Sequence, residues 1–196
     1  MKLLGFNLHK QLGLATVAIA IAALGGTRAQ ADAKIEKLNR FTVSQEQEGV
    51  RLAASWQIAQ HAKGPYVPIL IGTVNQGETT AKVDLKNISL VDDEGKVYKA
   101  AGYKEVLKRN KDLARDKRLV RDLDFGGLFT GTARLIPSFF YPYEDGVVDP
   151  STELLTMTQM MDLVYFEVPE REGHKYTLVV EGVIDAPAFR LPVHIG

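Results

Sequence analysis

The chain has no cysteine among its 196 residues. That absence excludes disulfides, thiolate metal sites and cysteine nucleophiles, so the fold must be held by its core alone. Histidine is sparse. His61, His174 and His194 stand in no ligand pair and beside no Gly-x-Ser-x-Gly elbow. There is no phosphate loop of the Gly-x-x-x-x-Gly-Lys kind. An excess of one charge is also missing: 24 basic residues face 24 acidic ones, which argues against nucleic acid or an acidic polymer as partner. Nothing here amounts to a catalytic signature. No catalytic residue, cofactor or metal ligand is assigned, and the expectation is a protein that is not an enzyme.

A long hydrophobic run is likewise lacking. Residues 12–24 are apolar, but a spanning helix needs about 20 such residues, and Gly25, Gly26, Thr27 and Arg28 follow. The preceding stretch carries Lys2, His9 and Lys10 and no acid, and Ala29-Gln30-Ala31 offers small residues at the two positions a signal peptidase reads. Basic start, apolar middle and small exit read as a Sec-type signal helix over residues 1–31. Cleavage is expected after Ala31, with Ala33 as the competing site. The setting is then periplasmic or secreted, and membrane contact would arise only through an uncleaved signal. The remaining chain of about 165 residues suits one domain with a real core. Without Lys2, Lys10 and Arg28 it holds 21 basic residues against 24 acidic ones.

After a polar leader over residues 32–40, read as a short helical turn, the pattern takes a period of two. Val50, Leu52, Ala54, Trp56 and Ile58 alternate with Arg51, Ala53, Ser55 and Gln57, the pattern of a half-buried strand. Residues 67–74 form a β-rich apolar run, and residues 80–91 read as one or two further strands. Asp92-Asp93-Glu94-Gly95 is a hairpin turn, with residues 96–98 pairing back. Residues 162–168, 176–184 and 189–195 complete the strands.

Two stretches break the pattern. Residues 104–122 hold eight bases and four acids, with apolar residues too sparse for a core helix. A short helix or a charged crossover fits them. Residues 137–153 hold Pro137, Pro142 and Pro150, with Phe139, Phe140, Tyr141 and Tyr143 between. A long aromatic loop either packs on a sheet edge or binds. Many short strands and few helical periods point to an all-β, antiparallel two-sheet sandwich over residues 41–196.

The order of segments resembles a family. Residues 69–75 (ILIGTVN) and 88–98 (ISLVDDEGKVY), then 163–169 (LVYFEVP) and 176–180, are similar to the immunoglobulin-like sandwich modules of bacterial secreted proteins and lipoproteins of unknown function. The resemblance spans roughly residues 67–183. It implies an immunoglobulin-like fold and an extracytoplasmic setting, with no catalytic residues to carry over. The charged segment and the aromatic loop depart from the pattern, so a particular function would sit there.

The leading expectation is a non-catalytic exported protein that binds an envelope protein through Phe139, Phe140, Tyr141 and Tyr143, because exposed aromatics give large contact at low entropic cost. The second candidate surface is the charged set Lys108, Arg109, Lys111, Arg115, Lys117 and Arg118. The alternative is a small-ligand or metal-binding protein. Calcium would use the acidic clusters Asp92, Asp93, Glu94 and Glu144, Asp145, Asp149, although their spacing does not match a calcium loop. Copper would use the thioethers of Met157, Met160 and Met161 with His174, although methionines beside a strand usually fill core gaps.

Overall fold

Residues 66–75 (YVPILIGTVN) are apolar enough to be buried on both faces, and all ten are buried. A strand of that kind belongs in the middle of a sheet. The computed structural model places it there, and it describes residues 34–120, 123, 125, 132–138, 140–142, 147–169, 171 and 175–195. The strands in chain order are β1 (Ile35–Asn39), β2 (Thr42–Gln47), β3 (Val50–Ser55), β4 (Tyr66–Asn75), β5 (Ala81–Asp84), β6 (Ile88–Asp92) and β7 (Val97–Lys99). Two helices follow, α1 (Tyr103–Arg109) and α2 (Leu113–Val120). The chain then runs through β8 (Arg134–Leu135), β9 (Ser151–Leu154), β10 (Thr158–Glu167), β11 (Lys175–Val180) and β12 (Phe189–His194).

Among the described residues three sheets form. The largest has the order β1-β2-β3-β4-β10-β8, the second β12-β11-β6-β7, and β5 pairs with β9. Every pairing is antiparallel except the two-residue contact of β8 with β10. The two larger sheets supply side chains to one continuous apolar core. On the second sheet that core is laid down in cross-strand rows. Ile88, Val180 and Phe189 make one row, and Leu90, Leu178 and Leu191 the next. The architecture is β-rich throughout, with the two helices as an insertion.

Pro68 sits inside the central strand, where a missing N–H would ordinarily break the ladder. The position tolerates it because β3 pairs no further along β4 than Leu70. Opposite Pro68 on the other side is Tyr165, whose N–H and carbonyl are both bonded away from β4. No ladder bond is therefore lost.

Several elements differ from the sequence expectation. Within residues 32–40 a helical turn was expected, but residues 35–39 are the strand β1. Its partner β2 reads TVSQEQ, a sequence with no apolar alternation to announce it. The hairpin that makes this pairing possible nonetheless buries Thr42, Ser44 and Gln45. The strand expected to run through Trp56 and Ile58 stops at Ser55, and Ile58–His61 is a 3₁₀ turn. Residues 80–91 do form two strands, but β5 pairs with the distant β9 rather than with β6. The expected hairpin at Asp92–Gly95 forms between β6 and β7.

One end of the molecule is knitted by close backbone approach. The β2–β3 turn places Glu48 (φ 49°) and Gly49 (φ 77°) in the left-handed region, as a two-residue hairpin requires. Gly49 lies against Gly77: a Cβ on Gly49 would stand 2.7 Å from the Gly77 Cα, and one on Gly77 would stand 2.6 Å from the Glu48 carbonyl oxygen. Asn75 organises the same region. Its side chain donates to the carbonyls of Thr79 and Leu154, both at 2.8 Å, and accepts from the Gly77 N–H at 2.9 Å. Because the Gly77 neighbours are backbone atoms that cannot swing aside, Gly77→Ala should destabilise the protein by about 1–3 kcal/mol. Glu48→Asn, which eases a positive φ, should stabilise it by a few tenths of a kcal/mol to about 1 kcal/mol. Urea denaturation of the two variants checks both signs, and a neutral Gly77→Ala would contradict the close approach.

Candidate functional site

The second half of β10 would be a bare sheet edge, because β8 covers only Thr158 and Gln159. The insertion between β7 and β9 covers the rest. Ala101 donates its N–H to the Tyr165 carbonyl at 2.8 Å, and Ala100 bridges to Phe166. The Tyr141 hydroxyl accepts from the Tyr165 N–H at 3.5 Å and donates to the Ala101 carbonyl at 2.6 Å. The Tyr141 and Tyr165 rings meet edge to face, with centroids 4.9 Å apart.

Two buried carboxylates pin the insertion down. Asp162 accepts from the Phe140 N–H (2.9 Å), the Ser138 hydroxyl (3.0 Å) and its neighbour's N–H on Leu163 (2.8 Å). Lys117 of α2 reaches the same carboxylate at 3.2 Å. Burial pushes the Asp162 carboxyl above its ordinary range, opposed by Lys117 and the three hydrogen bonds. Asp116 of α2 is the second. It is buried, ion-paired with Arg115 at 2.9 Å, and accepts the Tyr165 hydroxyl at 3.3 Å. Burial also raises its pKa, against Arg115, Asn110 and Tyr165. Arg109 closes α1 onto β10 by a bidentate pair with Glu167 at 2.8 and 2.6 Å, and its guanidinium lies over the Tyr66 ring. That pair holds Glu167 below the usual carboxylate range.

This arrangement corrects the aromatic expectation. Phe140 and Tyr141 have no exposed surface. They are core residues that seal the β10 edge, because a loop lying on an open edge must satisfy the strand's backbone and bury its own side chains there. They cannot be contact residues for a partner. Phe139 and Tyr143 lie outside the described residues. Within the charged segment, where a solvated connection was the simpler expectation, two helices form and the cations divide. Arg109, Arg115 and Lys117 are ion-paired, Arg109 at the surface with Glu167 and the other two with buried carboxylates. Lys104, Lys108, Lys111 and Arg118 are exposed and have no partner among the described residues. Leu107 on α1 is 52% exposed. On α1, Lys104, Leu107 and Lys108 are three and four residues apart and so share one face. Reading the segment as one undivided charged patch missed this split, which depends on which cations the folded chain brings to Glu167, Asp116 and Asp162.

The acidic turn has a structural occupation. Asp92 accepts from the N–H groups of Glu94 and Lys96 and from the Tyr98 hydroxyl at 3.1, 2.8 and 3.0 Å. Against desolvation, these donors hold its carboxyl below the ordinary value. Asp149 accepts from the Ser151 N–H, while Glu144, Asp145 and His174 lie outside the described residues. Among the described residues, no three His, Asp or Glu side chains converge on a point where they could hold a metal ion. Met160 is fully buried and Met161 packs against the core, as gap-filling thioethers do. Met157 is exposed in a turn at φ 59°.

Phe140→Ala should cost about 3–5 kcal/mol, read as a lower urea midpoint; a variant as stable as the parent would show that the ring is not part of the core. Asp116 supplies a pH signature. Its folded pKa is raised, so its contribution to stability is whole below the unfolded value of about 3.9 and is lost as the pH rises through the folded pKa. Relative to Asp116→Asn, the parent protein should gain stability as pH falls from neutral towards 4. Denaturation of both at several pH values tests this, and a constant difference would count against a buried, ionising Asp116.

Comparison with known proteins finds no matching family model and no matching curated sequence. Among solved structures the chain is similar to the crystal structure of the yjhA protein from Bacillus subtilis, with 9% sequence identity and a TM-score of 0.43, covering 76% of this chain and 95% of that one.

Proposed function

We propose that this protein is a non-catalytic, exported sandwich of the immunoglobulin-like type that binds an acidic envelope protein through the outward face of its helical insertion. The observation that carries the reading is the division of cations. Arg109 pairs with Glu167 and Lys117 with Asp162, both of β10, and Arg115 pairs with Asp112 and Asp116 beside it, while Lys104 and Lys108 are left exposed on the face of α1 that carries Leu107, and Lys111 and Arg118 are exposed further along the insertion. Buried carboxylates under the helices make that face rigid, and rigid presentation lowers the entropic cost of binding. An exposed apolar residue flanked by two lysines suits a protein surface that offers carboxylates around a small apolar patch. The leader over residues 1–31 supports the extracytoplasmic setting.

Lys104→Glu, Lys108→Glu and Lys111→Glu together should change the thermal midpoint little, because these side chains pair with no described residue. They should abolish cross-linking of the protein to its partner in envelope extract. Binding by the parent protein should weaken steeply between about 50 and 300 mM salt. A partner captured equally by the triple variant, or captured with no salt dependence, would remove this surface from consideration.

A further inference from the structure

Methionine carries the only sulfur in this cysteine-free chain, and the three methionines among the described residues have very different surroundings. Met160 is fully buried on β10, opposite Thr73 of β4. Met161 packs against the core, opposite Gly72. Met157 is 41% exposed. It stands in the turn that leads into β10, where the Thr158 N–H and hydroxyl both donate to the Leu155 carbonyl, at 3.2 and 2.6 Å.

Two local preferences oppose a methionine at this position. Its φ of 59° lies in the left-handed region, which glycine or asparagine adopts at less cost. Its side chain also leaves apolar surface in water. The backbone has no freedom to relax. Met157 donates its N–H to the Asn75 carbonyl at 2.7 Å and accepts from the Arg134 N–H at 2.8 Å, which ties the turn to β4 and β8. A residue unfavourable in both conformation and exposure is a reason to look for a function. The neighbourhood is apolar as well. Leu155 is 61% exposed, and Leu135, next to Arg134 on β8, is 58% exposed.

The reactivity of a thioether toward two-electron oxidants depends on access to the sulfur. The Met157 sulfur is open to solvent, whereas an oxidant could reach Met160 only through the core. The products differ in cost too. A sulfoxide at Met157 extends into water. The same group at Met160 would bury a polar oxygen.

We propose that Met157 is a site of reversible oxidation, at which an oxidant of the peroxide class converts the thioether to the sulfoxide and makes this apolar end of the molecule more polar. The O–O bond of hydrogen peroxide breaks, one oxygen bonds to sulfur, and the other leaves as water. Sulfur gives up two electrons and the peroxide gains them. An enzyme of the methionine sulfoxide reductase class, supplied with thiols, reverses the step. The site is separate from the helical insertion and does not depend on the function assigned to it.

The test treats the purified full chain with a modest excess of hydrogen peroxide and follows the peptide spanning residues 154–167 by mass spectrometry. Fragmentation should place the first added oxygen on Met157, at least about tenfold faster than on Met160 or Met161. Met157→Leu should remove the fast addition from this peptide, and Met160→Leu should keep it. Protein oxidised once in this peptide should hold the parent's thermal midpoint and elute earlier from a hydrophobic-interaction column. A methionine sulfoxide reductase with its thiol reductant should restore the parent mass. Oxidation of Met160 or Met161 as fast as Met157 would overturn the proposal. So would a fall in the thermal midpoint on the first addition, unchanged elution, or a product the reductase cannot reverse.

Discussion

Everything distinctive in this molecule rests on one buried carboxylate. Asp162 stands on β10 where that strand would otherwise be a bare edge, and it gathers the aromatic loop through the Phe140 N–H and Ser138, and α2 through Lys117. Burying a carboxylate is expensive unless its acceptor capacity is used. Here four donors use it, so the penalty is reduced, though not cancelled, only when loop and helix are both in place. That makes the carboxylate a device for specificity: the insertion has one docked position, because any other leaves Asp162 unsatisfied. Asp116 repeats the arrangement from the helix side, with Arg115 and the Tyr165 hydroxyl as its partners.

The consequence is a division of labour among side chains of the same type. A cation that reaches Glu167, Asp116 or Asp162 becomes part of the scaffold. A cation one helical step away remains available at the surface. The same logic operates at the other sheet edges, where Gln45 and Gln60 use side-chain amides to satisfy backbone groups of β12 that no strand reaches. Closing edges individually in this way limits uncontrolled association.

How much of this was legible depended on the kind of residue involved. β4, β6, β10, β11 and β12 were readable because their burial follows apolar periodicity, and the Asp92–Gly95 turn because acidic residues and glycine between apolar stretches demand it. β1 and β2 were not, since Thr42, Ser44 and Gln45 are polar and their burial is imposed by pairing and by partners far along the chain. The two segments singled out as irregular, the aromatic loop and the charged stretch, are the ones that meet on β10, yet their roles were misjudged in part. Phe140 and Tyr141 looked like contact residues, because composition cannot distinguish an aromatic that packs on an edge from one that projects. Arg109 and Lys117 looked equivalent to Lys108 and Lys111, because sequence does not record which acid lies within reach.

The sequence by itself determined the absence of every cysteine-based chemistry, the balance of charge, the positions of the apolar strands and the tight turns, since each follows from local residue type or short-range periodicity. Only the tertiary structure decided that β5 pairs with β9, that Phe140 and Tyr141 are core, and which cations and carboxylates are engaged. Those outcomes depend on contacts between residues separated by tens of positions, where an edge to be covered and a charge to be neutralised exist only once the sheets have formed.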